Sequence, residues 1–261
     1  MEQGEFMEQK TIAQIRQEYQ AALLQTLPAF VCNYQDDARS GVQKLVAQAQ
    51  KKIEKIQAER RRIYEMGVYE RQYASYAAVC GVDEAGRGPL AGPVVAGAVI
   101  LPKDCEILYI NDSKKLSAKM REKLYDTIME KALTAAVGIV SPQRIDEINI
   151  LQASYEAMRE AINKLDLVPD ILLNDAVTIP SVPIRQIPII KGDAKSISIA
   201  AASILAKVTR DRMMDEYDRI YPEYGFASHK GYGTKAHIEA VRRFGPCEIH
   251  RKTFLASILD A

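Results

Sequence analysis

The chain has 261 residues, of which 48% are hydrophobic and 26% charged, and these fractions are typical of a folded globular protein and exclude wholesale disorder. No window approaches the ~18 consecutive apolar residues of a membrane span, and the N-terminal MEQGEFMEQK lacks the basic and apolar segments of a secretory signal. The 35 basic and 34 acidic side chains nearly cancel, so net charge neither indicates nor excludes a nucleic-acid partner. We therefore expect a cytoplasmic protein without membrane attachment.

The first third of the chain has a helical composition. Residues 11 to about 70 are rich in Gln, Glu, Lys, Arg and Ala and carry apolar side chains at helical spacing, which predicts two or three helices. The basic run at 51–62 is interpreted as either a phosphate-contacting patch or a solvated helix face. Because the composition changes near Tyr76, we predict a helical N-terminal extension over residues 1–72 and a second domain over residues 73–261.

The second domain begins with two apolar segments around a glycine-rich turn. The run that starts near Tyr76 and the segment 94–101 predict an antiparallel hairpin. A helix capped by Ser117 and a strand over residues 134–140 are predicted to follow. Ser141 and the proline after it begin a long helix with a continuous apolar stripe. The members of that stripe are Ile148, Leu151, Tyr155, Met158, Ile162 and Leu165.

Strands and helices continue to alternate towards the C-terminus. Residues 171–173 and 184–190 predict two further strands, and residues 196–220 predict a long helix with one face buried over most of its length. Ser196 and Ser198 are expected to bond backbone amides at the start of this helix. The alternation predicts an α/β domain with a mixed sheet.

Carboxylates stand at three of the predicted strand ends. Asp83 and Glu84 end the first strand, Asp175 ends the fourth, and Asp193 follows the fifth. An isolated Asp-Glu pair is typical of a solvated turn, but the recurrence at separate strand ends predicts that the four converge. Because clustered carboxylates repel one another, they favour a hard cation, Mg²⁺ or Mn²⁺, and the arrangement suits phosphodiester hydrolysis. Asp83 and Glu84 can share one site only if their strand ends or distorts there.

Four motifs follow one another along the second domain: DEAGRGPLAGPV at 83–94, NDSKKLS at 111–117, KGDAKSISIAAASILAKVTRD at 191–211 and GYGTKAH at 231–237. Together they resemble bacterial ribonuclease HII, of the type 2 RNase H family, over residues 76–254. The resemblance implies an RNase H-like mixed β-sheet flanked by helices, with an N-terminal helical extension and C-terminal helices. It also implies an endonuclease of ribonucleotide excision repair that cleaves the RNA strand of RNA–DNA hybrids and single ribonucleotides embedded in duplex DNA. Water activated by Mg²⁺ or Mn²⁺ would leave 5′-phosphate and 3′-hydroxyl ends.

The same resemblance implies roles for individual residues. Metal-binding and catalytic roles fall on Asp83, Glu84, Asp175 and Asp193. Ribonucleotide sensing falls on Gly86, Arg87 and Gly88, and junction reading falls on Tyr232. A glycine backbone can approach the 2′-hydroxyl that distinguishes RNA from DNA, and a ring can pack on the neighbouring deoxyribose. Without the resemblance, a tyrosine between two glycines is more typical of loop packing.

Most of the remaining polar residues near the motifs are interpreted as structural. Among the lysines we expect Lys114 and Lys207 to face substrate phosphates and the others to be solvated. The three histidines form no ordered pair with a nucleophile and are expected to be structural: His229, His237 and His250. Asn174 stands where the family usually has an aliphatic residue, which predicts different packing behind Asp175.

Two alternatives remain open at this point. The first is a ribonuclease HIII-like nuclease, which Arg87 opposes because that family typically carries lysine there. The second is a non-catalytic RNA–DNA hybrid-binding protein, which the four carboxylates oppose because an uncompensated anionic cluster repels a polyanion. No obligate protein partner is inferred. The cysteines form no C-x-x-C pair, which favours reduced thiols over disulfides or a zinc site.

Overall fold

The structure is a computed structural model that describes residues 9–259, with side chains described through residue 256. The chain divides into two compact units, residues 1–62 and residues 63–261. The boundary predicted at residue 72/73 stays a prediction, although the two units divide earlier in the chain. Among the described residues, no helix combines the length and the apolarity that a membrane-spanning segment requires.

Helices make up the described part of the first unit: α1 (Ile12–Ala21), α2 (Leu27–Tyr34) and α3 (Ser40–Met66), whose last turn belongs to the second unit. Thr11 and Gln14 form a reciprocal capping box that starts α1. Pro28 lies in the first turn of α2, where its missing N–H breaks no helical hydrogen bond. The helices enclose an apolar cluster of Ile15, Leu27, Phe30, Val42, Leu45, Val46 and Ala49. The predicted helical extension is confirmed.

The second unit is built on one five-stranded sheet in the order β3-β2-β1-β4-β5. The strands are β1 (Val79–Ala85), β2 (Val94–Ile100), β3 (Thr134–Val140), β4 (Ile171–Asp175) and β5 (Arg185–Ile189). β1 pairs antiparallel with β2 and parallel with β4, so the predicted hairpin and the mixed sheet are both confirmed. Because β1, β4 and β5 run parallel, their carboxyl ends meet at the same edge of the sheet.

Helices cover both faces of this sheet. They are α4 (Val68–Gln72), α5 (Ala118–Lys131), α6 (Pro142–Asn163) and α7 (Ile197–Ile220). Ser117 and Ser141 cap α5 and α6 as predicted. A methyl group at Gly81 would lie 2.1 Å from the carbonyl carbon of Ser198, so α7 lies directly against β1 and only glycine fits between them. The alternate residues of β1 face α6, because side chains alternate along a strand.

Two details of the predicted helix faces are wrong. α6 is kinked at Asn149, which has φ 67° and ψ 164°, so the apolar stripe is not continuous and Leu151 is 40% exposed. The helical spacing in α7 predicts Met213 and Ile220 on its buried face, but the deeply buried methionine is Met214 and Ile220 is 62% exposed. Beyond Val208 the helix packs against the C-terminal segments instead of the sheet, which changes the face that is covered.

The C-terminal region adds α8 (Phe226–His229), α9 (Lys235–Phe244) and α10 (Lys252–Leu259). These segments pack with the loop after β1 around an apolar cluster that includes Leu90, Met214, Phe226, Val241 and Ile249. The predicted C-terminal helices are therefore confirmed, and their cluster supports the same end of β1 that carries the carboxylates.

Candidate active site

β1 carries two adjacent carboxylates to the edge of the sheet. Its pairing with β4 ends at Val82, whereas its pairing with β2 continues through Ala85. Asp83 and Glu84 therefore lie beyond the last partner on the β4 side. On that side β1 therefore has its last pairing just before the two carboxylates, next to the end of β4.

The pKa values of these two carboxyls show that they interact with a third. Burial, the charge of Glu84 and the charge of Asp175 raise the pKa of Asp83 well above its usual value. Burial also raises the pKa of Glu84, an effect that the Arg87 guanidinium opposes and the charge of Asp175 reinforces. Asp83 and Glu84 thus both lie in the electrostatic field of Asp175.

The turn after β5 brings the remaining two carboxylates together. Asp175 ends β4, and its Oδ1 accepts a hydrogen bond from the backbone N–H of Gly192 at 2.7 Å. Asp193 follows in a 3₁₀ turn that starts after Lys191, whose φ is 56°, and it is 7% exposed. Burial and the charges of Asp112 and Asp175 raise the pKa of Asp193. The folded turn therefore places Asp193 beside the end of β4.

A fifth carboxylate and a lysine complete this cluster. Asp112, which the sequence argument passed over, acts on Asp193 and accepts the backbone N–H of Lys114 at 2.9 Å. Its place in the motif at 111–117 is the signal that points to it. Burial disfavours the charged form of Lys114, but the charges of Asp193, Asp83, Asp112 and Asp175 outweigh it and raise the pKa. Lys114 therefore lies in the field of four carboxylates of this cluster.

The cluster offers oxygen donors only. In the part of the chain that the structure describes, no three His, Cys, Asp or Glu side chains form a preassembled metal-binding group. Their oxygens contact nearby donors instead: Asp83 Oδ1 accepts the backbone N–H of Glu84 at 2.7 Å, and Glu84 Oε1 accepts from Arg87 Nη1 at 3.2 Å. Burial and the charge of Asp175 together disfavour the charged forms of Asp83, Glu84 and Asp193. A donor set made of oxygen atoms only fits a hard divalent cation such as Mg²⁺ or Mn²⁺ and suits zinc poorly.

The glycine-rich turn continues directly from β1. Gly86 has φ 94°, a conformation that residues with side chains rarely adopt. The side chain of Arg87 is 43% exposed and pairs with Glu84. A methyl group at Gly88 would lie 3.8 Å from Cε1 of Tyr232, so the turn and this tyrosine are neighbours. The residues assigned to ribonucleotide sensing and junction reading therefore lie side by side.

The backbone of Tyr232 is held while its ring faces solvent. Its carbonyl accepts a hydrogen bond from His237 Nδ1 at 2.9 Å, and the residue is 45% exposed. The preceding Gly231 accepts the backbone N–H of Leu90 at 2.8 Å. The ring is thus presented from a fixed position next to the glycine-rich turn.

Lys207 has a different environment from Lys114. Its ammonium forms an ion pair with Asp211 at 2.7 Å, and its side chain is 18% exposed. Burial lowers its pKa, and the charges that act on it are those of Asp211, Arg210 and Arg121. The largest charges that act on Lys207 are therefore those of its own helix and of Arg121, whereas those that act on Lys114 are the charges of the carboxylate cluster.

The histidines form a cluster of fixed tautomers. The backbone N–H of Cys247 donates to His250 Nδ1 at 2.9 Å, so His250 carries its proton on Nε2 and donates it to His237 Nε2 at 3.0 Å. His237 then donates from Nδ1 to Tyr232, and the His229 ring stacks on it with centroids 4.4 Å apart. Burial lowers the pKa of His237 and that of His250, the latter to about 4. These contacts support the structural role expected for the histidines.

Comparisons with known proteins match both parts of the chain. A family model described as Ribonuclease HII matches residues 80–257, and one described as Ribonuclease HII N-terminal domain matches residues 11–74. The matched ranges together span most of the sequence.

Curated relatives are similar along most of their own length. A ribonuclease HII of Lachnoclostridium phytofermentans is 64% identical over 225 residues, 86% of this chain and 89% of the relative. One from Clostridioides difficile is 50% identical over 255 residues, 97% of this chain and 100% of the relative. One from Bacillus subtilis is 54% identical over 227 residues, 86% of this chain and 89% of the relative.

Solved archaeal structures share the fold of the second unit. Ribonuclease H2 from Pyrococcus horikoshii superposes with a TM-score of 0.59 and 32% identity, covering 70% of this chain and 97% of that one. RNase HII from Archaeoglobus fulgidus, solved in complex with PCNA, superposes with a TM-score of 0.56 and 28% identity, covering 67% of this chain and 94% of that one.

Proposed function

Because this chain belongs to the ribonuclease HII family, we propose that it hydrolyses the RNA strand of RNA–DNA hybrids and incises duplex DNA on the 5′ side of embedded ribonucleotides. The recognised resemblance is confirmed, and the chain is a type 2 RNase H endoribonuclease. The expected products carry 5′-phosphate and 3′-hydroxyl ends.

One observation carries the proposal. Carboxylates from β1, from β4 and from the turn after β5 share one electrostatic field at the edge of the sheet, and burial together with mutual repulsion raises the pKa of three of them. A cluster of this kind is poorly stabilised by the protein alone and is suited to a cationic ligand.

In the proposed mechanism the residues that would hold the cations are Asp83, Glu84, Asp175 and Asp193. Mg²⁺ or Mn²⁺, when bound there, would supply an activated water molecule and stabilise the leaving oxygen of a phosphodiester. Lys114, whose ammonium lies within the field of these carboxylates, contributes positive charge next to the substrate phosphates. Lys207 is a weaker candidate for phosphate contact because Asp211 already neutralises it.

The chain's own contribution to selectivity comes from the surface beside the carboxylates. We infer that the backbone of Gly86, Arg87 and Gly88 contacts the 2′-hydroxyl, which only RNA provides. The ring of Tyr232, adjacent to Gly88, packs on the following deoxyribose. The metal cluster cannot make this distinction, since RNA and DNA present the same phosphate.

Cleavage assays test the proposed function directly. A DNA duplex that carries one ribonucleotide, an RNA–DNA hybrid and an all-DNA duplex are incubated with the protein and Mg²⁺ or Mn²⁺. We expect the first two to be cut, the first at the 5′ side of the ribonucleotide, and the third to stay intact. Binding of the hybrid without cleavage in either metal would favour the hybrid-binding alternative and overturn the proposal.

A ribonuclease HIII-like activity is distinguished by the same assay. An enzyme that cuts the hybrid but leaves the single-ribonucleotide duplex intact would match that alternative. Arg87 in the glycine-rich turn favours the ribonuclease HII specificity. A cytoplasmic location and the absence of an obligate protein partner stay predictions.

A further inference from the structure

Two buried arginines lie beneath the surface proposed to read the ribonucleotide. Arg210 is 1% exposed and Arg251 is 0% exposed. Neither belongs to the ion pairs found among the described residues, and the hydrogen bonds of both guanidiniums go to backbone carbonyls. Burial lowers the pKa of Arg210 to about 10 and that of Arg251 to about 9. A cation buried without an anion is costly, so its contacts call for a specific explanation.

Arg251 binds both ends of the glycine-rich loop. Its Nη2 donates to the carbonyl of Gly86 at 2.5 Å and to that of Gly92 at 2.9 Å, and its Nη1 donates to the carbonyl of Arg87 at 2.9 Å. Its Nε donates to Gly92 again at 3.0 Å, and its backbone N–H donates to the carbonyl of Leu90 at 2.8 Å. The planar guanidinium therefore sets the spacing of three carbonyls in this loop.

Arg210 joins that loop to the segment before Tyr232. Its Nε donates to the carbonyl of Pro93 at 2.9 Å and its Nη2 to that of Ala91 at 3.0 Å. Its Nη1 donates to the carbonyl of Lys230 at 2.9 Å. The two arginines together tie the turn and the tyrosine into one unit.

The direction of these carbonyls decides which groups face outward. In a trans peptide the C=O of one residue and the N–H of the next point in opposite directions, and the described residues contain no cis peptide bond. Since the carbonyls of Gly86 and Arg87 point inward to Arg251, the N–H groups of Arg87 and Gly88 point away from it. Two adjacent backbone donors are thereby presented on the side of the turn opposite the guanidinium.

We propose that Arg251 is a positioning residue for ribonucleotide recognition: it holds the carbonyls of Gly86 and Arg87 inward, so that the N–H groups of Arg87 and Gly88 are aimed at the substrate 2′-hydroxyl. This inference rests on the proposed function, because it assigns the recognition of RNA to that turn. A lysine cannot replace the arginine, since one ammonium cannot reproduce the fork of donors that reaches all three carbonyls.

The test compares the Arg251→Lys variant with the wild type. Without divalent metal, fluorescence anisotropy gives the Kd for a DNA duplex with one ribonucleotide and for the same duplex made only of DNA. With Mg²⁺, kcat and KM are measured on the first duplex. We expect the variant to bind the all-DNA duplex as the wild type does. Its preference for the ribonucleotide, which is the ratio of the two Kd values, should fall about tenfold, and kcat/KM on the first duplex should fall by a similar factor. An unchanged preference in a folded Arg251→Lys variant overturns the proposal.

A matched control separates positioning from general loss of stability. Met158 is 1% exposed in the cluster between α6 and the sheet, and that cluster contains no residue of 86–92, so Met158→Ala lowers stability without changing a residue that packs with the turn. At temperatures where the two variants are equally far below their melting points, we expect Met158→Ala to keep the preference. If it loses the preference to the same extent, Arg251 is merely structural and the proposal fails.

A second variant covers the case in which Arg251→Lys does not fold. The Arg251 guanidinium carbon lies 5.1 Å from the ring centroid of Phe254, so Phe254→Leu loosens the arginine while keeping an apolar side chain. The same selective loss, smaller in size, supports the proposal, and an unchanged preference overturns it. A wild type with no ribonucleotide preference and no cleavage would instead overturn the proposed function, which distinguishes that failure from the failure of Arg251 alone.

Discussion

The carboxylate cluster and the histidine cluster both bury titratable side chains, but they do so in opposite ways. Burial raises the pKa values of Asp83, Glu84 and Asp193, and the charge of a neighbouring carboxylate, Asp175 in each case, adds to the effect. His237 and His250 stay neutral and pass hydrogen bonds from one ring to the next, ending on a backbone carbonyl. We propose that a bound cation compensates the charge of the first cluster, whereas the hydrogen bonds of the second are complete within the protein. Buried titratable groups therefore indicate a binding site only when their charges are left uncompensated.

Among the substitutions considered, Asp83→Asn in the carboxylate cluster should have the largest effect. We expect turnover to fall about a thousandfold or more, because the cluster loses a charged oxygen ligand. Substrate binding should be kept or improved and the melting temperature unchanged or raised, because one repelling charge is gone. The measurements are kcat at saturating Mg²⁺, Kd for the hybrid and thermal unfolding, with the exposed Asp126→Asn of α5 as control. Wild-type turnover in Asp83→Asn would contradict the metal assignment.

Substitutions at Tyr232 test the proposed substrate contact whose backbone is hydrogen-bonded to the histidine cluster. Tyr232→Phe should cost little if the ring packs on the sugar, whereas Tyr232→Ala should lower kcat/KM roughly ten- to a hundredfold, most on the single-ribonucleotide duplex. Tyr64→Ala removes a tyrosine that is 65% exposed and serves as control. If Tyr232→Ala leaves kcat/KM unchanged on both the single-ribonucleotide duplex and the RNA–DNA hybrid, the tyrosine only packs a loop and the proposed junction reading is wrong.

Protonation of the histidine cluster at acid pH should lower the stability of the fold. His250 has its pKa lowered from 6.5 to about 4, so below about pH 6.5 the unfolded chain takes up protons that the folded chain does not. Protonation also turns an accepting ring nitrogen into a donor that faces another N–H. Stability should therefore fall as the pH decreases from about 6.5 towards 4, measured by urea unfolding at several pH values.

The control for this pH dependence is a double variant, His237→Gln with His250→Asn. The carboxylates with raised pKa values bind protons in the folded state and act in the opposite direction, but they are the same in both proteins. The difference between wild type and variant isolates the histidines, and we expect the variant to have the shallower loss on the acid side. Equal slopes would show that the histidines do not carry the effect.

Truncation tests a carboxylate that accepts hydrogen bonds from the start of α7. Glu70 Oε1 accepts from the hydroxyl of Ser196 at 2.5 Å and from the backbone N–H of Ser198 at 2.9 Å, which stabilises the start of α7. A chain that starts at residue 63 should fold and cleave, and one that starts at residue 73 should be less stable by about 1 to 3 kcal/mol because these donors lose their acceptor. Urea unfolding compares the two. Equal stability would support the predicted boundary at 72/73 and contradict this role of Glu70.

The smallest effect is expected from a comparison of two lysines. Lys114→Gln should raise KM several-fold and lower the salt dependence of binding, because its ammonium is proposed to face substrate phosphates. Lys207→Gln should change KM less than about twofold, because Asp211 already pairs with that ammonium. Titration of hybrid binding against salt measures both, and a larger change in Lys207→Gln would restore it as a phosphate contact.

Much of the fold could be predicted because its signals are local. The caps at Ser117, Ser141 and Ser196 act on amides within the next turn, and all three are confirmed. The helix faces were less predictable, since Asn149 interrupts α6 and the end of α7 leaves the sheet. A helical stripe assumes one unbroken helix against one surface, and neither condition held throughout.

Some residues of the candidate site could be predicted from the sequence and others could not. Strand-end carboxylates are visible in the sequence because short apolar runs precede them, and the motifs point to the same positions. Asp112 lies inside one of those motifs but follows no predicted strand, so a search for carboxylates at strand ends does not find it. Arg251 carries no local signal, because the carbonyl of Gly86 that it binds lies 165 positions away in the chain.

By itself the sequence determined the order of strands and helices, the caps, and the family to which the chain belongs, because periodicity, turn residues and motifs are properties of neighbouring positions. Only the tertiary structure decided which charges meet. It placed Lys114 in the field of the carboxylates and Lys207 against Asp211, although both lysines lie within the motifs. The physical reason is that electrostatic energy and hydrogen bonding depend on distance and burial in space, and these are set by how remote segments pack.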